Sequence, residues 1–294
     1  MKSKNNTVLK AVCMIATLLC APSYSGEDAP KRFLDRFGFL TEYYFDQDAR
    51  TFSNHKNDEL FEIHMMAAET NFEVIFLSYE DFLHFSIMYS YYFGGGQQDR
   101  VMAFDPRLSN YAIIPVVELR HKDIFYQIGL DHRCFHQIDR EPEIVPYWNQ
   151  VYAKALSGNY RYQQMQKNYI GNGRDGYLDR LKWSAWAGYF MKKFGGMNPT
   201  LVSGNHPWDA TLGVSAGYSF YKTKSWMFSG RNNLVAFIDT TGKFYWTGLA
   251  GVDADLYTRR LSFGIFIDYN YEFPRELPWI SRDQLFEWGV RWRF

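Results

Sequence analysis

The segment Gln284 to Phe294 reads QLFEWGVRWRF. Phe286, Trp288, Val290, Trp292 and Phe294 are large and apolar, and Glu287, Gly289, Arg291 and Arg293 stand between them. A strand sends successive side chains to opposite faces. One face of this segment therefore suits hydrocarbon and the other suits water, and the chain stops on an aromatic residue of the apolar face.

Outward from that stretch the same two-phase pattern recurs. Leu261, Phe263, Ile265, Ile267, Tyr269 and Tyr271 alternate with Ser262, Gly264, Asp268, Asn270 and Glu272. Strands are expected at 244–256 and 227–239, with Thr240-Thr241-Gly242 and Thr258-Arg259-Arg260 as turns. Ala210, Leu212, Val214, Ala216, Tyr218 and Phe220 alternate with small residues, and Leu181 to Met191 repeats the pattern. A less regular strand lies within 148–164. Tyr111 to His121 and Ile124 to Cys134 read as a hairpin about Lys122-Asp123. Phe82 to Phe93 alternates strongly before Gly94-Gly95-Gly96, and weaker strands are expected at Leu60 to Ala68 and Phe72 to Tyr79. The tally is about twelve strands, with ten or fourteen as alternatives. Loops are expected at 94–110, 135–147, 193–208 and 273–283 on one side, and turns at 122–123, 222–225 and 258–260 on the other. The fold class is all-β, an antiparallel transmembrane barrel over 59–294.

The last strand closely resembles the terminal strand of Gram-negative outer-membrane β-barrels, whose assembly machinery reads an aromatic strand ending in Phe. The resemblance implies an outer-membrane location, contact with its lipids, and the barrel-assembly machinery as a partner through that strand. Residues 1–25 fit the matching export signal: Lys2, Lys4 and Lys10, an apolar run from Ala11 to Ala21, then Ser23-Tyr24-Ser25 as a cleavage site. Residues 26–58 lack clean alternation. Lys31 to Phe45 spaces Phe33, Leu34, Phe37 and Leu40 as a short amphipathic helix would, a lead-in that plugs the lumen, lies on the membrane or covers the periplasmic mouth.

Composition agrees. The 294 residues carry 32 basic and 32 acidic side chains, which disfavours nucleic acid as a partner. Aromatic residues make up 19%, yet mean hydropathy is −0.36, too polar for a helical membrane protein and natural for a barrel. Beyond residue 25 only Cys134 remains of three cysteines, so no intramolecular disulfide forms there.

One cluster carries chemistry, Asp131-His132-Arg133-Cys134-Phe135-His136-Gln137-Ile138-Asp139-Arg140-Glu141. Strand alternation puts His132 and Cys134 outward with Leu130. A His-x-Ser pair on the outward face, with an Asn on the next strand, resembles the arrangement in outer-membrane phospholipase A, a twelve-stranded barrel. The resemblance implies His132, Cys134 and Asn149 as catalytic residues, with Cys where that family has Ser and without the family's Asn-Gly or its second motif. A second expectation takes His132, His136, Asp139 and Glu141 as ligands of a divalent cation, provided the segment turns helical; no other cofactor is implied. The bland alternative is a hydrogen-bonded loop base.

Glu118, Arg120, Asp131, Arg133, Asp268, Arg291 and Arg293 are expected to line the lumen. Mixed signs point to an ion-paired, narrow or closed barrel rather than a selective or general pore. The leading expectation is a porin-like barrel that binds or passes a small solute of unknown identity, or serves a surface role. The alternative is an outer-leaflet lipid hydrolase centred on His132.

Overall fold

The computed structural model describes residues 36–53, 66–80, 82–98, 103–121, 123–137, 147–157, 180–191, 208–223, 225–257, 261–271 and 285–293. They form twelve strands: β1 (Phe37–Ser53), β2 (Met66–Tyr79), β3 (Leu83–Gln98), β4 (Ala103–His121), β5 (Ile124–Gln137), β6 (Tyr147–Ser157), β7 (Leu181–Phe190), β8 (Trp208–Lys222), β9 (Trp226–Asp239), β10 (Phe244–Tyr257), β11 (Ser262–Tyr271) and β12 (Leu285–Arg293). Each pairs antiparallel with its sequence neighbours, and β12 pairs with β1 to close the barrel. Closure leaves no strand without two neighbours, so along the paired registers backbone donors and acceptors are matched inside the sheet, as a hydrocarbon solvent requires.

The expected count stands, but its members differ at the N-terminal end. Phe37–Ser53 is a strand, not a lead-in segment or short helix. Its alternation is hidden by a register shift between Phe39 and Glu42 and by Leu40 at φ 50°. Its lipid side from Gln47 to Thr51 carries Gln47, Ala49 and Thr51, opposite Trp292, Val290 and Trp288 of β12. The two weak strands expected at 60–68 and 72–79 are one strand over the described part, β2. Glu69 and Asn71, which look like a turn, pair with Asp48 and Asp46 and face the lumen. Gly94-Gly95-Gly96 does not end β3 but carries a register shift within it, so most of the loop expected at 94–110 is strand. The connection at Thr240 to Lys243 is short although it lies at the same end of the barrel as the loops expected at 94–110, 135–147, 193–208 and 273–283. The Asp239 carboxylate holds it, accepting from the backbone N–H of Thr241 at 2.8 Å and of Lys243 at 2.9 Å, with Gly242 at φ 82°. The segments 1–35, 138–146 and 272–284, with the expected signal, Asp139, Glu141 and Glu272, lie outside the described residues.

Close approach explains one of the small inward residues of β8, Gly213. A Cβ at Gly213 would overlap the ring of Trp186 on β7. At the seam, a Cβ at Gly289 would overlap the Ala49 carbonyl oxygen and lie 2.8 Å from the Arg50 Cα, both backbone atoms. Gly289→Ala should therefore destabilise the barrel by about 1–3 kcal/mol. Gly217→Ala, whose nearest atom is 3.6 Å away, should be near neutral. Urea midpoints of the two variants in lipid vesicles compare them, and equal midpoints would contradict the seam argument.

Candidate functional site

Glu118, Arg120, Asp131, Arg133, Asp268, Arg291 and Arg293 lie on the strand faces opposite the exposed apolar rows, and each has an ion-pair partner there. The Arg50 guanidinium binds Asp48 on its own strand, Glu69 on β2 at 2.8 Å and Glu287 on β12 at 3.0 Å. Arg231 holds Asp268 at 3.1 Å through Nε, Arg291 pairs with Asp253, and Arg293 reaches Asp255 at 2.9 Å. Phe266 sits among three of these cations, its ring centroid 5.8, 5.3 and 5.4 Å from Arg50, Arg231 and Arg291. Such stacking offsets part of the cost of removing guanidinium groups from water. Glu118 accepts from Arg120 Nε at 2.8 Å and from Gln127 at 2.7 Å, and Arg133 pairs with Asp131 at 3.2 Å.

Trp148, Phe190, Trp208, Phe237 and Tyr245 form an inward aromatic cluster at the ends of β6 to β10 remote from Phe37 and Arg293. Twelve strands leave little bore once such side chains are in place. The ion pairs join residues of the same strand or of strands one or two apart along the inner wall, and the aromatic rings pack at the strand ends remote from Phe37 and Arg293.

The second place of interest is on the outer wall. The hairpin β4–β5 sets Ile113 opposite His132 and Tyr111 opposite Cys134, and β6 then places Asn149 beside His132 and Tyr147 beside Cys134. Tyr91 of β3 pairs with Tyr111, so Tyr91, Tyr111, Cys134 and Tyr147 form one outward row across four strands. A row of tyrosines toward the outer end of the strands is an interfacial girdle. The next row inward is Tyr89, Ile113, His132 and Asn149, with Ile113 46% exposed to the surroundings.

Outward faces elsewhere carry Ile87, Val117, Ile128, Val214, Val252, Ile265, Ile267 and Trp288, all exposed. A closed barrel with an apolar outside and an ion-paired inside has one stable setting. The chain is an outer-membrane β-barrel.

Within the barrel wall three side chains meet. His132 Nδ1 lies 2.8 Å from Asn149 Oδ1, and His132 Nε2 lies 3.5 Å from Cys134 Sγ. An amide oxygen only accepts, so Nδ1 carries the ring hydrogen and Nε2 presents a lone pair to the thiol. Asn149 is 8% exposed, and Cys134 is half-buried and free. The Tyr111 hydroxyl bonds the Cys134 sulfur, and the His132 and Tyr147 rings are 6.2 Å apart between centroids. The barrel thus brings together His132, Cys134 and Asn149, named from the sequence, and adds Tyr111 and Tyr147, which were not. The signal for Tyr111 was present: a two-residue turn at Lys122-Asp123 dictates its pairing with Cys134.

The helical turn required for a metal site is not formed. β5 continues to Gln137, so His132 and His136 are on extended backbone, roughly 13 Å apart at strand rise. Among the described residues no group of three His, Cys, Asp or Glu could hold an ion.

No family model matches the sequence, and no curated protein matches it. Solved structures with similar barrels include outer membrane phospholipase A from Escherichia coli, at 10% identity and TM-score 0.49 over 87% of this chain and 97% of that one. The KdgM porin is similar at 9% identity and TM-score 0.43 over 85% and 98%. OmpT of Vibrio cholerae is similar at 7% and 0.37 over 86% and 96%. A phospholipase dimer of Salmonella typhi, solved with bound calcium, is similar at 12% identity and TM-score 0.48 over 95% and 96%.

Proposed function

We propose that the barrel is an outer-leaflet acyl-ester hydrolase in which Cys134 is the nucleophile, His132 the general base and Asn149 the group that orients the imidazole. The observation that carries this reading is the hydrogen-bonded chain Asn149, His132, Cys134 on the lipid-facing wall, next to a tyrosine girdle. A nucleophile, a base within reach and a third group fixing the base are the parts that covalent acyl transfer needs. The ion-paired, ring-packed lumen supports a closed barrel, and the solute-passage alternative has no comparable feature.

The reaction follows from the tautomer. The Cys134 thiol gives its proton to His132 Nε2 as Sγ bonds to the ester carbonyl carbon. Collapse of the tetrahedral species breaks the bond to the alcohol oxygen, which takes the proton back from Nε2 and leaves a thioester on Cys134. Water then attacks the thioester carbonyl with His132 again as base, releasing the fatty acid and restoring the thiol. Asn149 keeps Nδ1 protonated throughout, so Nε2 is always the atom that exchanges the proton. Beside the thiol the described residues supply no cation cradle, since the Asn149 oxygen is already engaged with His132, and no step is assigned to a metal.

The test is protein folded in detergent and offered mixed phospholipid, with and without calcium. Wild type should release fatty acid and carry a hydroxylamine-labile acyl mass on Cys134. Cys134→Ala should do neither. Equal release by wild type and Cys134→Ala would overturn the assignment.

A further inference from the structure

Acyl transfer places negative charge on the carbonyl oxygen, and an enzyme of this kind needs donors aimed at it. Backbone N–H groups at a loop or helix start are the usual source. Up to Cys134 the backbone N–H groups of β5 are committed to the sheet. Cys134 lies within β5, in register with Tyr111 of β4 on one side and with Tyr147, the first residue of β6, on the other, so the backbone leading up to it belongs to two ladders and that of Phe135 to Gln137 pairs with β4. A buried ladder N–H turned toward a substrate would cost its own hydrogen bond. A side chain beside the thiol can supply the donor without breaking a ladder.

Among the outward side chains described around the thiol, His132 is needed as base, Asn149 is held by His132, Ile113 has no donor, and Tyr147, across the β5–β6 ladder from Cys134, has its ring 6.2 Å from that of the His132 base. Tyr111 is different. It stands directly across the β4–β5 ladder from Cys134, and its hydroxyl already bonds Sγ on the side of the sulfur provided by β4, while His132 comes from β5 itself. Its ring belongs to the girdle row, at the depth where ester carbonyls of a leaflet lie.

We propose that Tyr111 is a catalytic residue, its O–H donating a hydrogen bond to the substrate carbonyl oxygen as that oxygen becomes anionic. The inference rests on the hydrolase reading above. As Sγ leaves the hydroxyl to bond carbon, the carbonyl π pair moves onto oxygen, and the phenol O–H turns from sulfur to that oxygen. The phenol keeps its proton; the only proton that moves is the one from Sγ to His132 Nε2.

Tyr111→Phe removes one oxygen and keeps the ring. Loss of one oxyanion donor lowers kcat by roughly a hundred- to a thousandfold, with KM changed by less than about twofold because the donor acts in the transition state. Tyr91→Phe, one strand further in the same girdle row, should behave as wild type. The deciding second readout is alkylation of Cys134 by iodoacetamide, a displacement that builds no oxyanion. It should proceed in Tyr111→Phe within about threefold of wild type, since thiol and base are intact. Acyl hydrolysis unchanged in Tyr111→Phe overturns the assignment while leaving the hydrolase reading standing. A parallel loss of hydrolysis and alkylation also overturns it, by making Tyr111 a support for the thiol. Absence of Cys134-dependent hydrolysis in wild type is the separate result that removes the underlying reading.

Discussion

His132→Ala should reduce fatty-acid release by at least about a thousandfold while the barrel remains folded. The expectation follows from position. His132 bonds Asn149 on β6 through Nδ1 and faces Cys134 through Nε2, so in the proposed hydrolase its loss would remove both the base for acylation and the base that activates water. Its side chain is on the outer wall, away from the ion pairs, and compactness on unheated gels should be unchanged. Asn149→Ala should cost less, because the base remains but loses its fixed tautomer and orientation; a drop on the order of a hundredfold is expected. Fatty-acid release by His132→Ala at the wild-type rate would dismiss the enzyme.

The largest stability effect is expected inside. Arg50→Met keeps much of the side-chain volume but leaves Asp48, Glu69 and Glu287 facing one another without the cation that joins them. Glu287 is 0% exposed. Removing one partner of a buried ion pair costs about 3–5 kcal/mol, because the charges left behind stay desolvated. Urea unfolding in vesicles should show a loss of that order, and adding Glu287→Gln to Arg50→Met should restore part of it, since the double variant deletes a stranded charge. A single variant as stable as wild type would mean the lumen is wet enough to screen these groups.

The alternation of apolar and polar residues was enough to read β3, β5, β7, β8, β11 and β12 from sequence, because a strand between lipid and an ion-paired lumen must alternate. β1 was illegible for physical reasons. A bulge near Leu40 breaks its phase, and its lipid side shows Gln47, Ala49 and Thr51, which borrow their apolar cover from the large side chains of β12 opposite. The pairing of Arg50 with Glu287 could not be foreseen either: the two are 237 residues apart and meet only where the first and last strands close the cylinder. The outer-wall site was more legible. His132 and Cys134 share a face by parity, and the hairpin turn fixes their partners on β4. Asn149 needed the resemblance, since the connection before β6 does not by itself set the register. Tyr111 needed only the pairing of β4 with β5 to be followed across the ladder.

A thiol on the outer wall of the barrel is approached from the bilayer and not through the lumen. Substrate would reach Cys134 by lateral diffusion within the leaflet, and the quantity that governs encounter is mole fraction in two dimensions, not bulk concentration. Diluting the lipid with inert detergent should slow such an enzyme at constant total substrate. Diluting the whole suspension with buffer should leave the turnover of each barrel nearly unchanged.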